Sequence, residues 1–297
     1  HYEEIPDRVR DDKPHYHLEP VLILDYAGKN QRESASFSVM SRRFTESDTE
    51  AMRKDYSSDL TDSQWHKVKV VLDTSRHRHH DLRRDILDAI FYLVKTGCQW
   101  RMLPGDFAPW QTVYYYFRTW KKRGVIERLL SVARRSARRE AGREPEPSAV
   151  IIDCQSVEIT RSGGLCGFDG NKKVKGRKRH IVTDTQGWTW AVTVHAANEH
   201  ESQTAFDLIE KVNRKSERIE AVFADKAYRG DLEDELDEAL GLRLEITTSE
   251  SDEPGFSVEP KRWIVERTLG WFGGWRRLSK EYERLAETSE AMVRLAS

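Results

Sequence analysis

Cysteine is nearly missing. Cys98, Cys154 and Cys166 are three in 297 residues, and no two share the close spacing of metal-binding pairs. A disulfide framework is excluded as an organising principle, and a reducing compartment is the expected setting. Long apolar runs are missing too. None approaches the ~20 residues that a membrane-spanning helix needs. The first residues are acidic and carry no apolar h-region, so no secretory signal and no membrane partner are expected. Charge of one sign is also lacking overall: the net charge is −1, with 33% charged and 38% hydrophobic residues. That balance fits a globular chain with room for two domains.

The near-zero total hides an uneven distribution. Arg118 to Arg143 holds ten Lys or Arg and two Glu, and Arg161 to His180 holds seven Lys or Arg and one Asp. Residues 1–51 hold eleven acids and seven bases. Either basic patch alone fits a solvated face. Two of them flanking one carboxylate-bearing strand point to a polyanionic partner.

Element patterns divide the chain. Residues 1–51 keep no regular period beyond "PVLILDY", and patterning begins after Met52. They read as an upstream extension, poorly ordered or peripheral. Residues 52–145 read as an all-helical domain. "SDLTDSQW" offers capping residues ahead of an apolar pattern, and Leu82, Ile86, Ile90, Leu93 and Val94 share one helical face that Gly97 ends. After the turn "LPGDFAP", "PWQTVYYYFRTWKKRG" resembles the second helix of a helix-turn-helix. Its Val113, Tyr116, Phe117 and Trp120 are expected in the core, with Trp100 and Trp110 in packing. The Pro-rich "REPEPSA" marks the boundary to residues 146–297. There "AVIIDCQSVEIT", "GRKRHIVTDTQG", "WTWAVTVHAAN", "IEAVFADKAY" and "LRLEITTS" read as strands, interleaved with helices. The second and third of these form a hairpin at Gln186-Gly187. "EPKRWIVERTLGWFGGWRRLSKEYERL" reads as one long helical segment bent at Gly273–Gly274, and the chain stops in mid-pattern, as if truncated. The order predicts an α/β fold: a mixed sheet flanked by helices, preceded by the helical domain.

Asp153 follows three apolar residues, and Asp225 ends another apolar strand. A buried carboxylate needs a partner. Two on neighbouring strands share a proton or bind a dication. Glu266, inside "RWIVERTLGW", is a candidate third acid. Each alone has an ordinary explanation as a cap or a surface ion pair, and the residues do not select this trio from fifty acids.

"IIDCQSVEIT", "KKVKGRKRHIVTDTQG", "FADKAYRG" and "RWIVERTLGWFGGWRRLSKEYERL" resemble a DDE transposase of the bacterial insertion-sequence-five type. The similarity continues through "LTDSQW", "IFYLVKTGCQWRMLPGDFAPWQTVYYYFRTW", "AGREPEPSA" and "ETSEAM", covering roughly residues 53–297. It implies an RNase H-like catalytic domain with Asp153, Asp225 and Glu266 as catalytic acids and metal ligands. Arg262 matches the family's basic residue on the same helix. Cys154 stands where relatives often have Ser, and Gly273 and Gly274 where they often have polar or basic residues.

The implied activity is cleavage at the ends of an insertion sequence and joining of the 3′-hydroxyl to target DNA. Two Mg²⁺ ions per site, or Mn²⁺, are the implied cofactors. The implied partners are double-stranded terminal repeats and target DNA, with a homodimer or larger assembly in a bacterial cytoplasm. Lys172, Lys173, Lys175, Arg177, Lys178, Arg179 and His180 are expected to lie along the DNA, with Lys226 and Arg262 near a phosphate. Gln111, Thr112, Tyr115 and Arg118 are expected to read base edges, and Lys121, Lys122 and Arg123 to reach phosphate. Two alternatives stand: a catalytically inactive transposase-derived DNA-binding protein, and an RNase H-like nuclease that cuts without joining.

Overall fold

The computed structural model describes residues 54–72, 80–161, 163–247 and 261–297. The expected extension over 1–51 lies outside them. The described elements form one compact unit.

Four helices come first: α1 (Asp62–Leu72), α2 (His80–Thr96), α3 (Trp110–Lys122) and α4 (Val125–Glu140). Thr61 opens α1 with a capping box. Its hydroxyl accepts from the Gln64 amide at 3.2 Å, while the Gln64 side chain accepts from the Thr61 amide at 2.9 Å. In α2 the predicted stripe is the buried one: Ile86, Ile90, Leu93 and Val94 are fully buried. Each such side chain contributes about 1.5–3 kcal/mol over an exposed one. Gly97 stops the helix at φ 72°, and a Cβ there would meet the Arg276 backbone at 3.1 Å. Val113, Phe117 and Trp120 of α3 are buried, as the spacing predicts.

The sheet follows. Its strands are β1 (Ala149–Glu158), β2 (Gly167–Asp169), β3 (Val174–Asp184), β4 (Thr189–Ala196), β5 (Ala221–Ala224) and β6 (Arg243–Ile246). β1 is antiparallel to β3 and parallel to β5, and β6 extends the sheet beyond β5. β2 and β4 both pair with the other edge of β3. Helices α5 (Glu201–Asn213) and α6 (Leu232–Leu240) interrupt the later strands. The short β2 carries no sequence pattern of its own. It is held by pairing with β3.

Strand alternation sorts the core onto two faces. Val150, Ile152, Val182 and Trp190 pack with α5 and α6. Ile151, Ile181, Val192 and Phe223 pack with the N-terminal helices and with α7 (Arg262–Phe272) and α8 (Ala286–Ala296). The change of element type near residue 146 is therefore crossed by a shared core.

The last segment differs from one long bent helix. α7 ends at Phe272, where Gly273 and Gly274 close turns onto the Gly270 and Trp271 carbonyls. The chain then forms a 3₁₀ turn over Arg276–Leu278 and an extended strap. Glu281 of the strap bridges to Ile159: its amide donates to the Glu158 carbonyl at 2.9 Å, and its carbonyl accepts from Thr160. Those sheet contacts replace helical bonds that two consecutive glycines disfavour. The final helix, α8, packs on β4.

Candidate active site

β1 and β5 are parallel with Ile151 level with Phe223. Two residues further along each strand stand Asp153 and Asp225. Both keep the face of Ile151 and Phe223, the one covered by α7. Asp153 Oδ1 accepts from the Cys154 amide at 2.7 Å, and Asp225 Oδ1 accepts from the Ala227 amide at 2.8 Å. Both carboxylates are thus fixed from behind by backbone.

Glu266 comes from the second turn of α7, one turn after Arg262. Arg262 Nη2 lies 3.5 Å from Asp225 Oδ2 and 3.3 Å from Glu266 Oε1. The guanidinium therefore bridges strand acid and helix acid. Asp153 joins them electrostatically. Desolvation pushes its carboxyl up to about 7; the Cys154 amide and Arg262 oppose this, and Asp225 and Glu266 reinforce it. The three expected acids share one electrostatic site.

Three carboxylates are the hard oxygen donors that Mg²⁺ or Mn²⁺ takes, so the donor chemistry fits such an ion. The side-chain arrangement is held differently. Among the described residues no group of three or more His, Cys, Asp or Glu converges as a metal site. Arg262 supplies positive charge between Asp225 and Glu266.

The neighbouring Cys154 faces the opposite side of the sheet. Burial, then Glu201, raises its thiol far above the ordinary range, which disfavours the reactive thiolate. Beneath the Asp225 turn, His180 bonds through Nε2 to the Tyr228 hydroxyl at 2.5 Å and through Nδ1 to Thr204 Oγ1 at 2.8 Å. Tyr228, three residues after Asp225, is a residue that the sequence pattern did not flag.

The basic strand requires a correction. Arg177, Lys178, Arg179 and His180 are buried, because β3 lies inside the sheet with both faces covered. Arg177 and Arg179 both pair with the buried Glu281. Arg177 also donates to the Leu165, Glu283 and Arg284 carbonyls, and Arg179 to that of Leu278. Lys178 donates to the Glu199 carbonyl at 3.0 Å and lies 3.3 Å from Glu201. These four hold the fold together and do not present themselves to DNA. Lys172, Lys173 and Lys175, at the β2–β3 turn, are exposed, as is Lys226.

On α3, Gln111, Tyr115, Arg118 and Lys122 are exposed along one side, with Arg123 just beyond. Thr112 is half-buried. Lys121 is corrected as well: it turns onto α8, 2.6 Å from Glu287 Oε1 and 3.0 Å from Thr288 Oγ1.

A mixed sheet flanked by helices, with two strand acids level and a third on a covering helix, defines an RNase H-like fold of the DDE class. The chain belongs to the family described as "Transposase DDE domain", whose model matches residues 144–297. A second family model, "Putative transposase of IS4/5 family", matches residues 60–130. A relative from Burkholderia cepacia, "Putative transposase for insertion sequence element IS402", is 28% identical over 179 residues, 56% of this chain and 83% of its own. No solved structure matches the chain. The protein is thus a transposase of the insertion-sequence type, a family of enzymes that act on DNA and generally use divalent metal ions. Among the described residues no helix is long and apolar enough to cross a membrane.

Proposed function

We propose that the chain cleaves DNA at the ends of an insertion sequence and joins the freed 3′-hydroxyl to target DNA. The observation that carries this is the shared site of Asp153, Asp225 and Glu266, drawn from two level strands and one helix. These three would hold two divalent ions. Such ions lower the pKa of an attacking hydroxyl and stabilise a leaving oxygen at phosphorus. Asp153 and Asp225 present one carboxylate oxygen each while the other is tied to backbone. Glu266 sits on the exposed rim, where α7 meets an incoming strand.

Arg262 holds Asp225 and Glu266 in place before DNA arrives and lies near the scissile phosphate afterwards. Lys172, Lys173, Lys175 and Lys226 contact backbone phosphates, and the exposed side of α3, through Gln111, Arg118 and Lys122, reads or steadies the terminal repeat. The assembly is a homodimer or larger, since two element ends must be paired, and it works in the bacterial cytoplasm at the nucleoid. The deciding experiment is a strand-transfer assay with terminal-repeat DNA and Mg²⁺. Asp153→Asn should abolish both products while retaining DNA binding. Undiminished products from that variant would reject the site.

A further inference from the structure

Beside the stripe that carries Arg262 and Glu266, α7 carries a second one. Trp263, Arg267 and Trp271 follow at intervals of four residues, so they stack along one side of the helix. The Arg267 guanidinium carbon lies 4.7 Å from the Trp263 ring centre and 4.6 Å from that of Trp271. Both indoles stay in solvent, at 42% and 58% exposure. The ladder is also braced. Arg267 Nη2 donates to the Gln186 carbonyl at 2.9 Å, and Gly187 of the same turn leaves room for that guanidinium.

A guanidinium between two rings is a sound surface staple. A staple alone does not need two large indoles left half in water. Paired exposed rings with a cation between them match what an unstacked nucleobase takes up: a π-face to stack on and positive charge for its phosphate. Such rings sit next to Glu266, on the same helix. Cutting one strand there leaves an end free to leave the duplex stack.

We propose that Trp263, Arg267 and Trp271 form a stacking site for unpaired bases of a single DNA strand. This rests on DNA being the substrate of the Asp153–Asp225–Glu266 site, but binding is measurable without catalysis.

The test uses the full chain in EDTA, with a short oligo(dT) strand and a blunt duplex of equal length, read by anisotropy and indole fluorescence quenching. Trp263→Leu/Trp271→Leu should weaken oligo(dT) binding at least about tenfold and duplex binding less than about twofold. Trp263→Phe/Trp271→Phe should recover most of the loss, because a ring is restored. Should the double Leu variant not fold, Trp271→Leu alone, at the more exposed ring, is read in the same way. Equal weakening for strand and duplex, or unchanged oligo(dT) affinity, overturns the proposal. Asp153→Asn serves as the control: if it bound oligo(dT) normally but made no products, catalysis and stacking would be separated.

Discussion

Glu281 accepts a hydrogen bond from Arg179 at 2.6 Å, although 102 residues separate the two in the chain. Both are buried, Arg177 pairs with the same carboxylate, and the Ser289 hydroxyl donates to it at 2.9 Å. Removing one partner of a buried ion cluster strands the others without compensation, at about 3–5 kcal/mol. Glu281→Ala should therefore lower the urea-unfolding free energy by about that amount. A loss under ~1 kcal/mol would mean that the arginines find water or other acceptors instead.

Acid sensitivity should arise beneath the Asp225 turn. Burial, then the charges of His195 and Lys178, lowers His180 to about 3. His195 is lowered too, chiefly by burial. The folded protein thus keeps His180 neutral where the unfolded chain binds a proton. Its stabilisation is whole above the unfolded pKa of ~6.5 and is lost as pH falls toward the folded value. Thermal melts from pH 7 down to 4 should fall steeply for the parent and less steeply for His180→Gln. Parallel curves would assign the acid sensitivity to other groups.

Arg262 should act as a rival to added cations. Its guanidinium spans Asp225 and Glu266 at 3.5 and 3.3 Å. Arg262→Gln removes a like charge from the path of an incoming ion and leaves two carboxylates repelling each other. Calorimetric titration with Mn²⁺ should show affinity raised on the order of tenfold, while strand cleavage falls because the positioned charge is gone. Weaker Mn²⁺ binding would show that the arginine organises the acids more than it competes for them.

The exposed β2–β3 lysines should set part of the salt dependence. Lys172→Gln, Lys173→Gln and Lys175→Gln should each flatten the slope of log K against log salt by about one unit for every phosphate left without its lysine. Duplex binding measured across salt concentrations checks this. An unchanged slope in the triple variant would remove the turn from the DNA path.

The fold was legible where pattern and burial coincide. The α2 stripe, the core side of α3 and the hairpin at Gln186-Gly187 all follow from spacing or turn chemistry. The nearness of Asp153 and Asp225 required only that two strands be parallel. The basic run of β3 misled because charge is local in sequence, whereas burial depends on what returns to cover it. Glu281, over a hundred residues later, makes those arginines interior. The strap misled in the same way: its helical composition loses to sheet contacts that only the folded chain offers. Tyr228 gave no signal because a tyrosine three residues after an acid has no period to betray its partner.

The N-terminal helices and one side of the sheet are packed around a common set of apolar residues, among them Phe117, Ile151 and Leu269. The protein therefore behaves as a fixed ruler between the outer side of α3 and the carboxylates. Lengthening the Pro-rich connector would not separate the two, because both are anchored in that core. On the proposed reading, a step from recognition to cutting would come from bending of the DNA or from a second copy of the chain, since these two surfaces move together.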